Sequence, residues 1–307
     1  MPTAILIANP SASQFTGGVF RDITTTLSRT FDLTTEWPIS PHETETVARR
    51  AADVGVDVVF AMGGDGVAHH VANALVHSDT ALGIIPVGTT NVLARILGIP
   101  LKAQRAASNA IGFEPVPTRM VRIDATTPVG AVTRYAAFAL GIGFDADVVE
   151  SAETRPFSKS RFGSVHYAST AIGRLLSSWR SEHPNLRMTC DGERFDALAA
   201  LTQVHDPYTY FGKLPLRLTA EPPTGIATLA ANDLGVTRAT EIFSRAAVGL
   251  SHRDATGIQL WTNYRRLDVE ADPRTPFQAD GELLGYASHL AVTPADDALL
   301  VLRPQLD

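Results

Sequence analysis

Apolar residues are grouped in a regular way over the first third of the chain. Short apolar runs predict strands at Ala4–Ala8, Val58–Met62 and Ala81–Pro86, and Phe31–Trp37 is predicted as a further strand, the second along the chain. After each strand the apolar positions recur every three or four residues, which predicts helices at Val19–Ser28, Glu43–Val54, Val67–His77 and Val92–Leu97. Strands that alternate with helices of this length are typical of a parallel sheet with helices on its faces. The sequence therefore predicts an N-terminal three-layer α/β domain.

The pattern changes near Pro115, after which strand-like runs dominate. The predicted strands are Val121–Ala125, Val132–Leu140, Leu186–Cys190, Phe195–Val204, Leu214–Leu218, Ile226–Ala231, Ile258–Trp261 and Leu267–Glu270. Two helical patterns interrupt them, at Ser160–Arg180 and Arg238–Gly249. We therefore expect an α/β domain at 1–118 and a β-sandwich-like, mainly antiparallel domain at 119–290. The last apolar run is expected to return to the first domain with 291–307, because chain termini often lie close together.

Three predicted turns carry chemistry that suits a phosphate. Gly63-Gly64-Asp65-Gly66 follows the third strand and precedes a helix, whose free N–H groups can hold an anion. Taken alone, this loop is read equally well as a simple turn. The polar turn Asn9-Pro10-Ser11-Ala12-Ser13 follows the first strand, and Gly88-Thr89-Thr90-Asn91 follows the fourth. Because the carboxyl ends of parallel strands meet at one edge, the three turns are expected to form one phosphate cradle. The sequence contains no Gly-x-x-x-x-Gly-Lys-Ser/Thr, so this is not a P-loop.

Other short motifs are less specific. Gly141-Ile142-Gly143-Phe144-Asp145-Ala146 fits Gly-x-Gly-x-x-Ala, but no strand that ends in an acid follows about 20 residues later, as a dinucleotide site requires. The tripeptide Asp-Gly-Glu occurs twice. At Asp191-Gly192-Glu193 it lies between two strand patterns and predicts a hairpin turn. On local grounds Asp280-Gly281-Glu282 is also a turn. His69, His70 and His77 do not share a metal-binding spacing and are expected at the solvated surface.

Composition narrows the class of protein. The 307 residues are 45% hydrophobic and 19% charged, which suits a globular protein, and the net charge of −6 argues against general nucleic-acid binding. No stretch approaches the ~18 apolar residues of a membrane span. The N-terminal residues lack the basic and apolar regions of a signal peptide, and the only cysteine, Cys190, is expected in the core. These features predict a cytoplasmic protein.

The segment from Thr154 to Ser181 is basic and contains no acidic residue. It carries an apolar stripe at helical spacing, with Arg174 and Arg180 near its end. Such a helix can lie on an anionic membrane surface, where the Arg174/Arg180 face is predicted to aid docking, but packing on a sheet is the commoner role of a single helix.

Five segments, in this order, make the chain similar to one family. They are Asn9-Pro10, Gly63-Gly64-Asp65-Gly66, Pro86-Val87-Gly88-Thr89-Thr90-Asn91, Gly141-Ile142-Gly143-Phe144-Asp145-Ala146 and Asp280-Gly281-Glu282. With this set the chain resembles the bacterial diacylglycerol kinase catalytic family, which is related to sphingosine and ceramide kinases. Val67 stands where the family usually has Thr, and Val92 where it usually has Asp. The stretch that supports a structural magnesium in some members aligns with Glu221-Pro222-Pro223-Thr224-Gly225, where the leading acid is absent.

The resemblance implies a nucleotide-binding α/β domain and a lipid-substrate domain, with ATP and the lipid head group between them. It implies transfer of the γ-phosphate of ATP to the hydroxyl of diacylglycerol, with Mg²⁺ as the metal. The residues implied for ATP binding are Asn9, Pro10, Ser13, Gly63, Gly64, Asp65, Gly66, Gly88, Thr89 and Asn91. Asp280 is the implied general base, with Glu282 and Asp65 as further acids, and Asp65 and Asp280 are the residues implied to approach the metal through the ATP phosphates.

Three functions remain open on the sequence: a kinase for diacylglycerol or another lipid alcohol such as a sphingoid or ceramide, a metabolite kinase of the NAD kinase type, and a lipid-binding relative without turnover. For the first, the expected partner is a lipid at the inner face of the membrane, reached by peripheral contact, with no nucleic acid involved. Whether the protein forms a homodimer is left open.

Overall fold

The computed structural model describes residues 1–143, 146, 185–220 and 224–305. These form two compact units, one made of Met1–Met120 with Asp296–Asp307 and the other of Val121–Ala295. The boundaries expected from the sequence, at 118/119 and 290/291, fall close to these positions. The fold class is the expected one, an α/β unit and a β-rich unit.

The first unit is built on a parallel sheet. Its elements, in chain order, are β1 (Thr3–Ala8), α1 (Gly17–Leu27), β2 (Asp32–Glu36), α2 (Pro41–Asp53), β3 (Val58–Gly63), α3 (Asp65–Leu75), β4 (Ala81–Pro86), α4 (Val92–Ile96) and α5 (Ala103–Ala110). The strands lie in the order β2-β1-β3-β4, and each pairs in parallel with its neighbour. The C-terminal part of the last strand, β16 (Glu282–Leu302), adds Val301 beside Leu82 of β4. The return of the final apolar run to this unit is thus confirmed.

Local chemistry explains where the helices of the first unit begin. Thr16 caps α1, because its hydroxyl accepts a hydrogen bond from the Val19 amide at 3.1 Å. Ser40 caps α2 in the same way, with Pro41 in the first turn and the Glu43 carboxylate accepting from the Ile39 amide. The strands β3 and β4 are buried along their whole length, as expected of central parallel strands covered on both faces.

The second unit is mainly antiparallel. Its strands are β5 (Pro115–Thr127), which begins in the first unit, β6 (Gly130–Ala136), β7 (Ala139–Gly143), β8 (Leu186–Cys190), β9 (Glu193–Ala197), β10 (Ala199–Gln203), β11 (Thr209–Phe211), β12 (Leu214–Leu216), β13 (Ala227–Ala231), β14 (Ile258–Thr262), β15 (Leu267–Ala279) and β16. One helix, α6 (Val236–Val248), matches the predicted segment at 238–249. The other predicted helix, at 160–180, lies outside the described residues.

Strand β7 is central to this second unit. It pairs with β10 on one side and with β15 on the other. Beyond β10 the sheet continues through β13 to β14. The strands β11 and β12 form a separate two-stranded hairpin. Two predicted strands are each divided in the structure, since Leu198 separates β9 from β10 and residues 137–138 separate β6 from β7. Strand β15 is longer than predicted and continues through Pro276, which pairs with Tyr286.

Two expectations about burial have different outcomes. Cys190 is buried in the core of the second unit, as predicted, and burial raises the pKa of its thiol to about 12. The prediction that the histidines of α3 are solvated is wrong for His69, which is only 1% exposed. The neighbouring His70 is half-buried and lies 3.0 Å from Glu45 of α2. Tertiary packing of α3 thus buries a residue that the sequence pattern assigned to solvent.

Gly83 of β4 is a position where the packing of the first unit can be tested. A Cβ at this residue would lie 2.2 Å from the ring of Phe60, which is fully buried in β3. We expect Gly83→Ala to lower the free energy of unfolding by about 1–3 kcal/mol, because the ring has no room to move. The measurement is urea unfolding followed by circular dichroism. Gly17→Ala is the control, since a Cβ there meets nothing within 4 Å; equal stability of the two variants would contradict the prediction.

Candidate functional site

Three turns of the first unit lie at the carboxyl ends of adjacent parallel strands. Strand β1 pairs with β3, and β3 pairs with β4, so the residues that follow them share one edge of the sheet. The structure thus brings together the turn beginning at Asn9, the Gly63–Gly66 loop and the Gly88–Asn91 turn. This is the convergence that the sequence predicted. All ten residues expected to bind ATP lie at this edge, although Gly63 ends strand β3 and Asp65 and Gly66 belong to the first turn of α3.

The second and third turns approach each other at two glycines. A Cβ on Gly88 would lie 2.5 Å from the Cα of Gly64, and one on Gly64 would lie 3.5 Å from the Cα of Gly88. The Val87 amide also donates to the Gly63 carbonyl at 2.9 Å. A side chain at position 88 would force the two backbones apart, so this approach requires glycine. The two loops therefore form one continuous backbone surface.

Asp65 begins helix α3 and joins it to α4. Its Oδ1 atom accepts a hydrogen bond from the Leu93 amide at 3.1 Å, and its side chain is not fully covered. A carboxylate in the first turn of a helix is stabilised by the N–H groups and by the helix dipole. Gly63 completes this arrangement, because a Cβ there would lie 2.5 Å from Val67 Cγ2. The loop holds Asp65 in a defined position at the carboxyl edge of the sheet.

Asn91 shapes the third turn through its side chain. It adopts a left-handed conformation with φ of 48°, and it is buried. Its Oδ1 atom accepts from the Gly88 amide at 3.1 Å, and its Nδ2 atom donates to the Gly88 carbonyl at 2.9 Å. Both ends of the amide thus fix the turn around Gly88. Thr89, at the tip of the turn, is exposed instead, and its hydroxyl lies 3.0 Å from the hydroxyl of Ser13.

The turn after β1 is connected to the third turn by a residue that the sequence did not single out. The Gln14 amide donates to the Val87 carbonyl at 2.9 Å, and the Gln14 Nε2 atom donates to the Gly88 carbonyl at 2.6 Å. Asn9 stabilises its own turn, since its Oδ1 atom accepts from the Ser11 amide at 2.9 Å. Pro10 follows at the exposed surface. No local motif marks Gln14, because its role depends on a loop more than 70 residues away.

Asp280 lies in the second unit, in a two-residue turn between β15 and β16. Its carboxylate is 3% exposed and accepts three backbone hydrogen bonds, from the amides of Ala137, Phe138 and Ala139 at 2.8, 2.8 and 3.1 Å. The Asp280 amide in turn donates to the Ala139 carbonyl at 2.8 Å. The carboxylate therefore fixes the connection between β6 and β7 against the β15–β16 turn. Glu282, the first residue of β16, is half-buried.

The other Asp-Gly-Glu tripeptide forms the same kind of turn with a different result. Asp191 and Gly192 have φ of 49° and 87°, and Asp280 and Gly281 have φ of 56° and 85°, so both pairs are type I′ turns. The hairpin predicted between β8 and β9 is thus confirmed. The side chain of Asp191 is exposed, whereas that of Asp280 is buried on three amides. Backbone geometry is shared, and the surroundings of the carboxylates differ.

The remaining predicted segments are described only in part. Gly141, Ile142 and Gly143 lie in β7 and are buried, while residues 144 and 145 are outside the described residues. Gly143 has φ of 77°, and a Cβ there would lie 2.5 Å from the Leu198 carbonyl oxygen. Position 143 requires glycine because the Leu198 carbonyl, just before β10, lies too close for a side chain. Arg174 and Arg180 also lie outside the described part of the chain.

The donors at the carboxyl edge of the first unit suit phosphate oxygens. They are backbone amides of glycine turns and the hydroxyls of Ser13 and Thr89, with the Asp65 carboxylate beside them. In the described ranges, no three His, Cys, Asp or Glu side chains are grouped to hold a metal ion. No helix within those ranges has both the length and the apolar character to cross a bilayer. The fold and these turns define an α/β unit with a candidate phosphate-binding edge, joined to a β-rich unit.

Comparisons with known proteins confirm the resemblance to diacylglycerol kinases. Residues 3–123 match the diacylglycerol kinase catalytic domain. The diacylglycerol kinase of Mycobacterium tuberculosis (strain CDC 1551 / Oshkosh) is 27% identical over 270 residues, which are 86% of this chain and 82% of that protein. A crystal structure of a diacylglycerol kinase from Bacillus anthracis str. Sterne covers 99% of this chain and 97% of its own, with a TM-score of 0.71 and 17% identity. That likeness shows a shared fold. The chain is thus similar to diacylglycerol and lipid kinases, and residues 3–123 are similar to the catalytic domain of that family.

The Gly64–Gly88 approach gives a prediction for nucleotide binding. We expect Gly88→Ala to weaken the binding of a non-hydrolysable ATP analogue at least about tenfold, because the added methyl group must displace the Gly64 backbone. Isothermal titration calorimetry measures this. Gly112→Ala is a suitable control, since a Cβ there has one neighbour, at 3.8 Å. An unchanged dissociation constant for Gly88→Ala would argue against a phosphate seat at this turn.

Proposed function

We propose that this protein transfers the γ-phosphoryl group of ATP to the free hydroxyl of diacylglycerol and so forms phosphatidic acid. The observation that carries the proposal is the backbone approach of Gly64 and Gly88, at the end of parallel strands and beside a helix N-terminus. Phosphoryl transfer depends chiefly on positioning and on neutralisation of charge, and a rigid surface of N–H donors supplies both. The diacylglycerol kinase names of the relatives support the choice of lipid.

Each residue of the cradle has a role in this proposal. The amides of Gly64, Gly66 and Thr89 bind phosphate oxygens, and the hydroxyls of Ser13 and Thr89 add donors at the same edge. Asn91 and Gln14 hold the third turn in the conformation that presents these groups. A magnesium ion, when bound with ATP, would neutralise charge on the β- and γ-phosphates. Asp65 is the carboxylate of the first unit best placed to hold it.

The proton of the lipid hydroxyl requires an acceptor, and the second unit offers two acids. Asp280 is the residue that the family resemblance favours. Its three amide bonds suit it to position the β15–β16 turn, which also carries Glu282. No hydrogen bond joins the Glu282 carboxylate to another of the described residues, and this side chain is half-buried. We therefore assign Glu282 as the proton acceptor and Asp280 as the residue that positions it.

A substrate comparison tests the proposed function. Purified protein is incubated with labelled ATP, Mg²⁺ and one acceptor at a time: diacylglycerol in mixed micelles, ceramide, sphingosine or NAD. We expect transfer to diacylglycerol, with the product migrating as phosphatidic acid. Transfer to NAD alone would replace the proposal with a metabolite kinase. Lipid binding without transfer to any acceptor would instead indicate a binding role.

The two acids are separated by matched substitutions and pH profiles. We expect Glu282→Gln to lower kcat at least about 100-fold and to abolish the acidic limb of the kcat/KM profile, because a general base is lost. Asp280→Asn should also lower kcat, through loss of a hydrogen bond to the 137–139 amides, but should retain the acidic limb. If instead Asp280→Asn abolished the acidic limb and Glu282→Gln retained it, Asp280 would be the base.

Asp191→Asn provides the control for these substitutions. It makes the same chemical change in the same type of turn, at an exposed carboxylate. We expect its kcat and its thermal stability to match those of the wild type. If Asp191→Asn lowered kcat as much as Asp280→Asn, a general effect of turn substitution would account for both results.

A further inference from the structure

Two adjoining elements of the second unit expose large apolar side chains. They are the β11–β12 hairpin and helix α6 with the residues that follow it. The exposed fractions are 40% for Leu214, 43% for Phe243, 70% for Val248 and 55% for Leu250. Together with Phe211 and Lys213, these residues are called the α6–hairpin surface below. Soluble proteins rarely group large apolar side chains in this way without a partner.

The two elements are joined by direct contacts. The rings of Phe211 and Phe243 are 5.8 Å apart and meet edge to face, at 84°. The Arg217 amide, just beyond β12, donates to the Ala246 carbonyl of α6 at 3.0 Å. The hairpin and the helix therefore form one surface.

The exposed residues are not needed to hold α6 in place. Its inner face carries Ala246, which is buried, and Ile242, which packs against a cluster that includes Leu198 and Leu234. Gly249 then ends the helix in a left-handed conformation, with φ of 69°. The next residue, Leu250, projects at the end of the helix, and its amide donates to the Arg245 carbonyl at 2.9 Å. The apolar side chains at this end are available to a partner.

The charges around this surface nearly balance, but the surface itself carries one basic residue, Lys213, and no acidic residue. Segments 206–217 and 233–254 contain five basic residues, namely Lys213, Arg217, Arg238, Arg245 and Arg253, and four acidic residues, namely Asp206, Asp233, Glu241 and Asp254. The full chain carries a net charge of −6. Arg217 pairs with Asp206, and Arg238 and Arg245 both pair with Glu241. Lys213, at the hairpin tip, forms no ion pair with the other described residues.

We propose that the α6–hairpin surface docks the protein on the face of an anionic lipid bilayer. Apolar side chains that project from a basic surface enter the boundary between head groups and acyl chains, while lysine and arginine meet lipid phosphates. The choice of a bilayer rests on the proposed function, because diacylglycerol lies in the membrane. The positive charge of Lys213, on a surface that carries no carboxylate, favours anionic lipid over a second copy of this chain, which would bring the same charge.

Vesicle sedimentation without nucleotide tests the docking. The probes are phosphatidylcholine vesicles with and without about one quarter phosphatidylglycerol. We expect Leu250→Glu to lower the partition coefficient on both kinds of vesicle at least about tenfold, since a leucine that enters the bilayer is replaced by a charge. Lys213→Glu should lower it at least about fivefold on the anionic vesicles only.

Each substitution has a control that makes a comparable change at an exposed position elsewhere. Val129→Glu adds a charge at a valine that is 93% exposed, in the β5–β6 turn. Lys102→Glu reverses an exposed lysine of the first unit. Both controls should bind vesicles as the wild type does. Equal binding by all variants would overturn the proposal. So would loss of binding only in the double variant Arg174→Glu with Arg180→Glu, which changes the basic segment instead.

Two further measurements distinguish bilayer docking from self-association and from a failure of the kinase reaction. Light scattering gives the mass in solution, and a dimer that becomes a monomer in Leu250→Glu would assign the surface to a second copy and overturn bilayer docking. Transfer of phosphate to a short-chain diacylglycerol below its micelle concentration should be unchanged in Leu250→Glu, because this acceptor needs no membrane. If the wild type also fails to phosphorylate that acceptor, the proposed function fails, while the vesicle result still decides the docking.

Discussion

The contact between two backbones, at Gly64 and Gly88, is the constraint on which the first unit is built. The two loops can meet at this distance only when position 88 carries no side chain, because a Cβ there would lie 2.5 Å from the Cα of Gly64. The surrounding hydrogen bonds serve the same arrangement: Asn91 and Gln14 both bond to Gly88, and Asp65 ties the start of α3 to α4. The central strands supply a rigid base for these loops, because they are buried from end to end.

Much of the α/β unit could be predicted from the sequence, and the reason is physical. Central parallel strands are covered on both faces, so they appear as unbroken apolar runs, and the glycine turns between strand and helix are equally visible. His69 shows the limit of such patterns. The sequence pattern assigned it to solvent, whereas its side chain is buried in the completed fold. Gln14 was missed for a similar reason, since its partners belong to another turn.

The β-rich unit was harder to predict because its strands are irregular. Proline is rare within paired strands, because it has no amide hydrogen to donate to a neighbouring strand. Pro276 nevertheless lies within β15, between two shifts of register. Short breaks at 137–138 and at Leu198 divide runs that looked continuous. The two Asp-Gly-Glu turns could not be distinguished by local sequence at all. What separates them is whether a row of amides from a distant strand connection lies against the carboxylate, and this depends on the completed fold.

The bonds made by Asp280 also constrain the order in which the protein folds. They join residues 141 to 143 positions apart in the chain, so the intervening segment must be closed into a loop before they form. Closing so large a loop is entropically unfavourable, and contacts of this kind are usually established late. A newly made chain would therefore gain its anchored acid only after the β-rich unit had assembled. A partly folded molecule, even one with its glycine loops already in place, would lack the geometry proposed for proton removal.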